Sequence, residues 1–532
     1  MRNSHLDYEF SPQQKPVEKI IPMATLSTPL PEPKRESLPP MLGGFAALAE
    51  SAWMGVALAS EFLEPVRQAG PRLRSAVAGV RSFNLRDFLS RELSIAEATF
   101  ILMASFFTSA ALGAVRQVLF NAQFGAGMEA NAYYAAFRLP DTLFSLIAGG
   151  ALSSAMIPIL LSATAKEGQR AAWRLVDRVL TLLLIVFAIL VLLGELFAPF
   201  FVTRLLAPGF DAETSRLTIS LTRIMLIQPV VLAFGSVATA VLNSQNRFAL
   251  TALSIASHNI ALITGILIGG LIPSVGIYGP TFGVILGALL QTAILLPGLR
   301  SRGFAYRPAL DTRDVNLREV VKLLIPNGLS VGVGYAGFIL DTSFASQARE
   351  MAGLPAIANA WLLVGLPIAL LGQAVGQSAF PRIAAFAATF EWRQMLRTVL
   401  TSLAIAIGLA LPALAALFLL GRPIITLLFE HGKFDAQAGT LTFDVLKVYA
   451  AALPAYVGTE VVTRGLIALR DTRTPLLTNS AQLATRGVMM ALLVGSMGIV
   501  AVPLSLAVTA SVETIILFSV LLFKIRRRMA TA

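Results

Sequence analysis

A long succession of apolar segments constrains the fold of this chain more than any other feature. From about residue 97 onward, apolar stretches of about 20 residues or more follow one another, and that length crosses the hydrocarbon core of a bilayer. The boundaries of these apolar stretches predict twelve helices, at 97–119, 132–162, 179–202, 217–242, 248–271, 278–298, 320–346, 354–380, 398–420, 440–467, 476–496 and 499–523. Only 14% of the residues are charged, against about 25% in a soluble domain, so we expect an all-α polytopic membrane protein.

Composition also excludes several classes of function. The chain has no cysteine, which removes disulfides, thiolate metal sites and thiol nucleophiles. It has only three histidines and no phosphate-binding GxxxxGK[ST] loop, GxSxG elbow or HExxH pair, so we expect no enzyme activity, metal or cofactor. The net charge of +12 comes from Lys and Arg in loops between apolar segments, which is typical of membrane topology rather than of a nucleic-acid partner.

The distribution of basic residues predicts the orientation. Loops on one side of the membrane carry twenty Lys and Arg, whereas the other side carries five, namely Arg204, Arg216, Arg349, Arg422 and Lys433. The richer side is expected to be cytoplasmic. Because twelve is an even number, both termini are then predicted to be cytoplasmic.

The residues before the first span differ in composition. Residues 1–40 contain eight prolines and no apolar period, which predicts a disordered tail. Residues 41–95 begin with an apolar stretch whose three glutamates share one helical face, and continue with six arginines. This pattern favours an amphipathic helix on the membrane lipids followed by a basic linker, although a solvated linker fits equally well. Residues 529–532 form a short tail.

The chain contains an internal repeat, in which motifs of the first half recur in the second at a nearly constant offset. Phe210-Asp211 matches Phe434-Asp435, and Pro158 matches Pro381. The repeat predicts two parallel lobes of six helices, at 96–312 and 313–528. Parallel repeats build transporters with a site between the halves, although an old duplication without transport would leave the same pattern.

Ionisable residues within apolar sequence are costly and by default mark a pathway or binding site. In the first half these are Arg116, Arg138 and Asp141. Arg116 either contacts substrate or extends to the interface. Arg138 and Asp141 are i,i+3 neighbours that either pair with each other or face a cavity. Candidate hinges, which could equally be sites of close packing, are Pro140, Gly149 and Gly150.

The second half carries five further intramembrane charges. Asp341 is deep in the seventh segment, Arg486 is in the eleventh and Glu513 is in the twelfth. Glu460 and Arg464 are spaced i,i+4 in the tenth segment, which favours a structural ion pair.

Together these motifs resemble the MurJ/MviN family of lipid II flippases, within the superfamily of multidrug, oligosaccharidyl-lipid and polysaccharide exporters. The resemblance rests on Arg116, FGAGMEANAYYAAFRLPD (124–141), GGALSSAMIPIL (149–160), APGF (207–210), NRF (246–248), HGKFDAQA (431–438) and ALRDTRTP (468–475). It implies two lobes around a central cationic cavity that opens alternately to each side of the bacterial inner membrane. The implied cargo is an undecaprenyl-pyrophosphate-linked peptidoglycan precursor, and the implied substrate-binding residues are Arg116, Arg138, Asp141 and Asn131.

The chain also departs from the family pattern. Ala110 and Leu362 stand where the family has arginines, and Gln117, Asn131 and Gly149 stand where it has acids. Two alternatives therefore stay open: an exporter of another lipid-linked oligosaccharide or amphiphile, and a non-transporting scaffold that recruits cell-wall synthesis enzymes.

Some family members bind sodium between the seventh, eleventh and twelfth helices. In this chain Arg486 occupies a position of that site. We expect its guanidinium to replace the ion and to pair with Asp341 or Glu513, so that coupling would use protons or the membrane potential.

Overall fold

The computed structural model describes residues 95–148, 151–350 and 352–531, and this part of the chain is almost entirely helical. It contains sixteen longer α-helices and no β-strand. In chain order they are α1 (Ile95–Phe124), α2 (Met128–Ala148), α3 (Ala151–Glu167), α4 (Gln169–Leu196), α5 (Ala212–Met225), α6 (Ile227–Ser244), α7 (Phe248–Leu271), α8 (Tyr278–Arg300), α9 (Val315–Ser346), α10 (Gly353–Pro367), α11 (Ala374–Ala388), α12 (Trp392–Phe429), α13 (Ala436–Ala451), α14 (Leu453–Ala468), α15 (Arg473–Met497) and α16 (Ala501–Thr531). The predicted N-terminal tail, all but the last residue of the segment 41–95, and the candidate hinges Gly149 and Gly150 lie outside the described residues.

The fold class predicted from the sequence is confirmed. Seven helical stretches of the described chain are long and apolar enough to cross a membrane, or nine if two bent helix pairs each count as one span. One of the seven, Arg473–Ala530, is 58 residues long and is divided at Gly498–Val500 into α15 and α16. The protein is therefore an all-helical polytopic membrane protein, and the count of twelve spans stays a prediction.

Two predicted helices are each broken into two shorter ones near a proline. The segment 217–242 is interrupted at Leu226, three residues before Pro229. The segment 440–467 is interrupted at Ala452, two residues before Pro454, and the two helices there meet at 43°. A proline has no N–H to donate to the carbonyl four residues earlier, and its ring crowds that carbonyl, which weakens the preceding turn. By contrast, α2 runs without a break through Pro140.

The order of helices follows the internal repeat. Helices α2, α4 and α5 begin at Met128, Gln169 and Ala212, and helices α10, α12 and α13 begin at Gly353, Trp392 and Ala436. The three pairs of starting residues share nearly the same offset, and it is the one that relates Pro158 to Pro381. We refer to α1–α8 as the first half and to α9–α16 as the second half.

Each half has its own apolar core, and α9 contributes to both. The core of the first half contains Leu175 and Val237, and it also takes in Leu317 and Val320 from the beginning of α9. The later part of α9 packs beside the core of the second half, where Phe344 contacts that cluster. Helix α9 therefore connects the two halves by packing as well as by sequence. The predicted lobe boundaries at 312 and 313 stay a prediction.

Candidate functional site

Arg138 lies at the contact between the two halves. On α2, Asn131, Ala135, Arg138 and Thr142 recur at spacings of three and four residues, which places them on one face of the helix. Ala135 is fully buried in the core of the second half, so this face points across the interface. The Arg138 Nε donates a hydrogen bond of 2.9 Å to Thr342 Oγ1 on α9, and its guanidinium carbon lies 5.4 Å from the centre of the Phe338 ring. The side chain is thus held by one neutral hydroxyl and one aromatic face.

The alternative pairing of Arg138 with Asp141 is not formed. Among the ion pairs of the described residues, none joins a carboxylate to Arg138. The guanidinium therefore keeps donor groups that could bind an anion entering between the halves. A planar guanidinium fork matches the oxygens of a phosphate.

Asp341, the residue before Thr342 on α9, forms a buried ion pair within the second half. Arg486 of α15 donates to the carboxylate of Asp341, and the two side chains are only 7% and 6% exposed. Gly337, one turn earlier on α9, leaves room for this guanidinium, because a Cβ there would lie 3.1 Å from Arg486 Nη1. The other partner that the sequence offered, Glu513, instead accepts a hydrogen bond of 3.1 Å from Thr478. The structure therefore pairs Arg486 with Asp341.

Arg116 lies on α1, within the first half. It lines a cavity of about 70 Å³ within the first half, between α1, α2 and α7. The walls of this cavity are largely aromatic or aliphatic, and they include Phe120, Tyr133 and Phe137. Both Arg116 and Arg138 interact electrostatically with Asp141 and Tyr134 on α2.

Asn131 makes a contact between the halves and also lines a cavity of about 220 Å³. Its side chain is buried, with Nδ2 donating to Gly127 O at 2.9 Å. Its Oδ1 accepts from the backbone N–H of Leu354, near the start of α10, at 3.2 Å. An acid at this position is therefore not needed for the contact, because a neutral amide oxygen accepts the N–H.

Three amide side chains form a second polar contact across the interface. Asn359 Oδ1 on α10 accepts from Gln117 Nε2 at 2.6 Å and from Asn121 Nδ2 at 2.9 Å. Asn121 and Asn359 are fully buried. The sequence named Gln117 only as a departure from the family pattern, and Asn121, Asn359 and Thr342 were missed because the search centred on charged residues within apolar segments. A buried Asn within an apolar span carries a similar though weaker signal.

The remaining predicted charges lie in the second half. Glu460, Arg464 and Glu513 line a cavity of about 390 Å³ between α14, α15 and α16. Glu460 and Arg464 approach to 4.0 Å, with both side chains about one third exposed, so their interaction is weak. Within the described residues, no group of three or more His, Cys, Asp or Glu side chains is placed to hold a metal ion.

Comparisons with known proteins agree on one family. A family model described as lipid II flippase MurJ matches residues 120–530. The lipid II flippase MurJ of Burkholderia cenocepacia is 29% identical over 426 residues, which cover 79% of this chain and 82% of that protein. The probable lipid II flippase MurJ of Rhizobium meliloti is 28% identical over 421 residues, covering 77% and 78%.

Solved structures share the fold. A lipid II flippase MurJ in an inward closed conformation has a TM-score of 0.69 and 23% identity, covering 79% of this chain and 87% of that one. An inward-facing multidrug resistance transporter of the MATE family has a TM-score of 0.67 and 15% identity, covering 82% and 99%.

Proposed function

Because the chain belongs to the family of the lipid II flippase MurJ, we propose that it moves lipid II across the bacterial cytoplasmic membrane. The cargo is an undecaprenyl-pyrophosphate-linked peptidoglycan precursor, carried from the inner to the outer leaflet. Both termini are cytoplasmic in this proposal. The observation that supports it most is Arg138, a cation at the contact between the halves that donates to the Thr342 hydroxyl and interacts with the Asp141 and Asp341 carboxylates electrostatically without an ion pair.

In this proposal Arg138 binds the pyrophosphate. The group has oxygens on both phosphates, and a guanidinium can donate two parallel hydrogen bonds to such oxygens. A bond from the guanidinium to a phosphate oxygen is stronger than its bond to the Thr342 hydroxyl, because both partners then carry charge. The polyprenyl tail stays in or beside the bilayer while the head group crosses between the halves. Arg116, Asn131 and Asp141 stay candidate contacts for other parts of the head group.

Movement of the halves supplies alternating access. The two halves contain helices in matching order, as in transporters built from parallel repeats. This supports a motion in which one half rocks against the other around a site between them. Family membership makes the chain a transporter, and we propose no catalytic step.

We further propose that transport does not use sodium. The Arg486–Asp341 pair occupies the space between α9 and α15 with a fixed cation. Coupling would then use protons or the membrane potential, with Glu460, Arg464 and Glu513 as candidate groups. Transport rates in purified vesicles are expected to be equal with sodium or potassium as the cation. A rate that requires sodium would contradict this assignment.

Two experiments test the cargo. Expression of the chain in a flippase-depleted strain is expected to restore growth. An assay of lipid II accessibility at the outer leaflet is expected to show transport by the wild type and strong loss with Arg138→Ala. The matched control is Arg174→Ala, which removes an exposed arginine near the start of α4. A well-expressed wild-type chain that neither restores growth nor exposes lipid II would overturn the proposal.

A further inference from the structure

Two loops cross between the halves where α1 and α9 end. Residues 207–211 lie in the first half, after the helical turns that follow α4, and residues 430–435 lie in the second half, after α12. Each loop contacts the last turn of the opposite half's first helix. The Gly209 N–H donates to Ser346 Oγ on α9 at 3.1 Å, and the Lys433 N–H donates to Ala122 O on α1 at 2.9 Å.

A glycine makes the close approach possible in each loop. A Cβ on Gly209 would lie 2.6 Å from the Cα of Gln347, and a Cβ on Gly432 would lie 2.9 Å from the carbonyl carbon of Ala122. Real Cβ atoms essentially never come closer than 3.0 Å to another heavy atom. The neighbours are backbone atoms, which cannot rotate away as the end of a side chain can. Either loop would have to move off the opposite helix if its glycine gained a side chain.

The two contacts are counterparts in the internal repeat. Gly432 follows Gly209 at the same offset that separates Pro158 from Pro381, and the contacted residues Ala122 and Ser346 are separated by nearly the same distance along the chain. Each contact also borders a cavity that is lined in part by charged residues. A cavity of about 220 Å³ lies beside Gly209 and Ser346, and one of about 860 Å³ lies beside Lys433 and Gly127. The same interaction is thus built twice, in opposite directions across the interface.

We propose that Gly209 and Gly432 form a pair of reciprocal latches that hold the halves together on the side where α1 and α9 end. Both latches must release before the interface opens on that side. In this state the latches and the amide cluster around Asn359 close the interface, and Ala135 is fully buried behind them. The inference goes beyond the proposed function, because it concerns separation of the halves and not the cargo.

Cysteine labelling tests the latches directly, because the native chain has no cysteine. A reporter Ala135→Cys places one small thiol at the interface, where the native side chain is fully buried. Its reaction with a maleimide is followed in the purified full chain without lipid II. Gly209→Ala and Gly432→Ala are each expected to raise the labelling rate roughly tenfold, since the closed population falls. Ser346→Ala, which removes only the hydroxyl that accepts from Gly209, should raise the rate less.

Matched controls separate a latch from general loosening. Gly408→Ala adds a Cβ with no atom within 4 Å, and Gly168→Ala does so at a φ of 82°, comparable with 62° at Gly432. Neither should change labelling at Ala135→Cys. A second reporter, Ala233→Cys in the core of the first half, should stay unlabelled in every variant. The proposal is overturned if labelling at Ala135→Cys is unchanged, if only one of the two glycines affects it, or if Ala233→Cys becomes labelled equally.

Discussion

Arg138 and Arg486 make contrasting contacts with adjacent residues of one helix. Arg138 reaches α9 from the first half and meets the neutral hydroxyl of Thr342. Arg486 reaches α9 from the second half and meets the carboxylate of Asp341. Consecutive residues of an α-helix point about 100° apart, so α9 can present one side to each half. The same residue type therefore forms a direct ion pair on one side, whereas on the other it interacts with Asp141 and Asp341 only electrostatically and keeps donor groups for a ligand.

The difference shows that a buried arginine is not by itself a binding site. Two buried ions in a closed pair stabilise the packing only while both are present, because each alone would be an uncompensated charge. An arginine with a weak neutral partner can exchange it for a stronger anionic one. Function is expected to follow Arg138, and stability to follow Arg486.

The largest expected effect is on stability, from Asp341→Asn. This variant leaves the Arg486 guanidinium buried without a counter-charge and should lower the free energy of unfolding by about 3–5 kcal/mol. Unfolding of the purified protein in detergent measures it. The double variant Asp341→Leu with Arg486→Met, which removes both charges, should recover most of the loss. A single variant as stable as the wild type would remove the contrast between the two arginines.

The second effect is on transport, from Arg138→Ala. Loss of a charge-assisted contact to the pyrophosphate should lower the lipid II transport rate by about 10–100-fold. The free energy of unfolding should change by about 1–2 kcal/mol, less than with Asp341→Asn, because the hydrogen bond to Thr342 and the contact with the Phe338 ring are lost but no buried charge is left without a counter-charge. Arg138→Lys should retain part of the rate, since an ammonium binds phosphate as a point charge. A transport rate unaffected by Arg138→Ala would show that Arg138 is not the anion site.

A partly exposed ion pair outside the membrane core, between Asp471 and Lys524, extends the comparison. Asp471 lies in the loop between α14 and α15, contacts Lys524, and accepts from the Thr474 hydroxyl at 2.5 Å and from its N–H at 3.0 Å. Burial opposes ionisation of Asp471, but the hydrogen bonds from Lys524 and Thr474 outweigh it and lower its pKa to about 2. An unfolded Asp has a pKa of about 3.9, so the stabilisation is complete above that value and is lost as the pH falls towards 2.

Asp471→Asn should accordingly lower the free energy of unfolding at neutral pH by about 1–2 kcal/mol, less than Asp341→Asn, because solvent screens the pair. The difference between wild type and variant should shrink as the pH falls from about 4 to about 2. Unfolding midpoints measured across that pH range check this. A difference that grows on acidification would contradict the assigned sign.

The smallest expected effect comes from Thr342→Val, which keeps the shape of the side chain and removes its hydroxyl. Arg138 loses its hydrogen-bond partner on α9, and the free energy of unfolding should fall by about 0.5–1.5 kcal/mol. Lipid II transport should persist, because the guanidinium that binds the anion is intact. Loss of transport as large as with Arg138→Ala would mean that Thr342 itself contacts the cargo or fixes the arginine in place.

Much of the architecture was readable from the chain alone. Apolar length gave the membrane class, and the constant offset between repeated motifs anticipated the matched helix order. The breaks near Pro229 and Pro454 were not predicted, since both segments were given as continuous, and a proline alone does not decide a break because α2 runs through Pro140. The lobe boundaries and the role of each site residue stay predictions.

What only the tertiary structure decided is which residues meet. Asp341 and Arg486 are separated by 145 residues, and helical spacing fixes the face a side chain shares with its neighbours but not the helix that lies opposite. The sequence therefore allowed Arg486 either Asp341 or Glu513, and only the packing of the helices selects Asp341. Local hydrophobicity and backbone chemistry act along the chain and can be read from it. Partner choice depends on how helices pack, because packing brings together residues that have no relation in sequence.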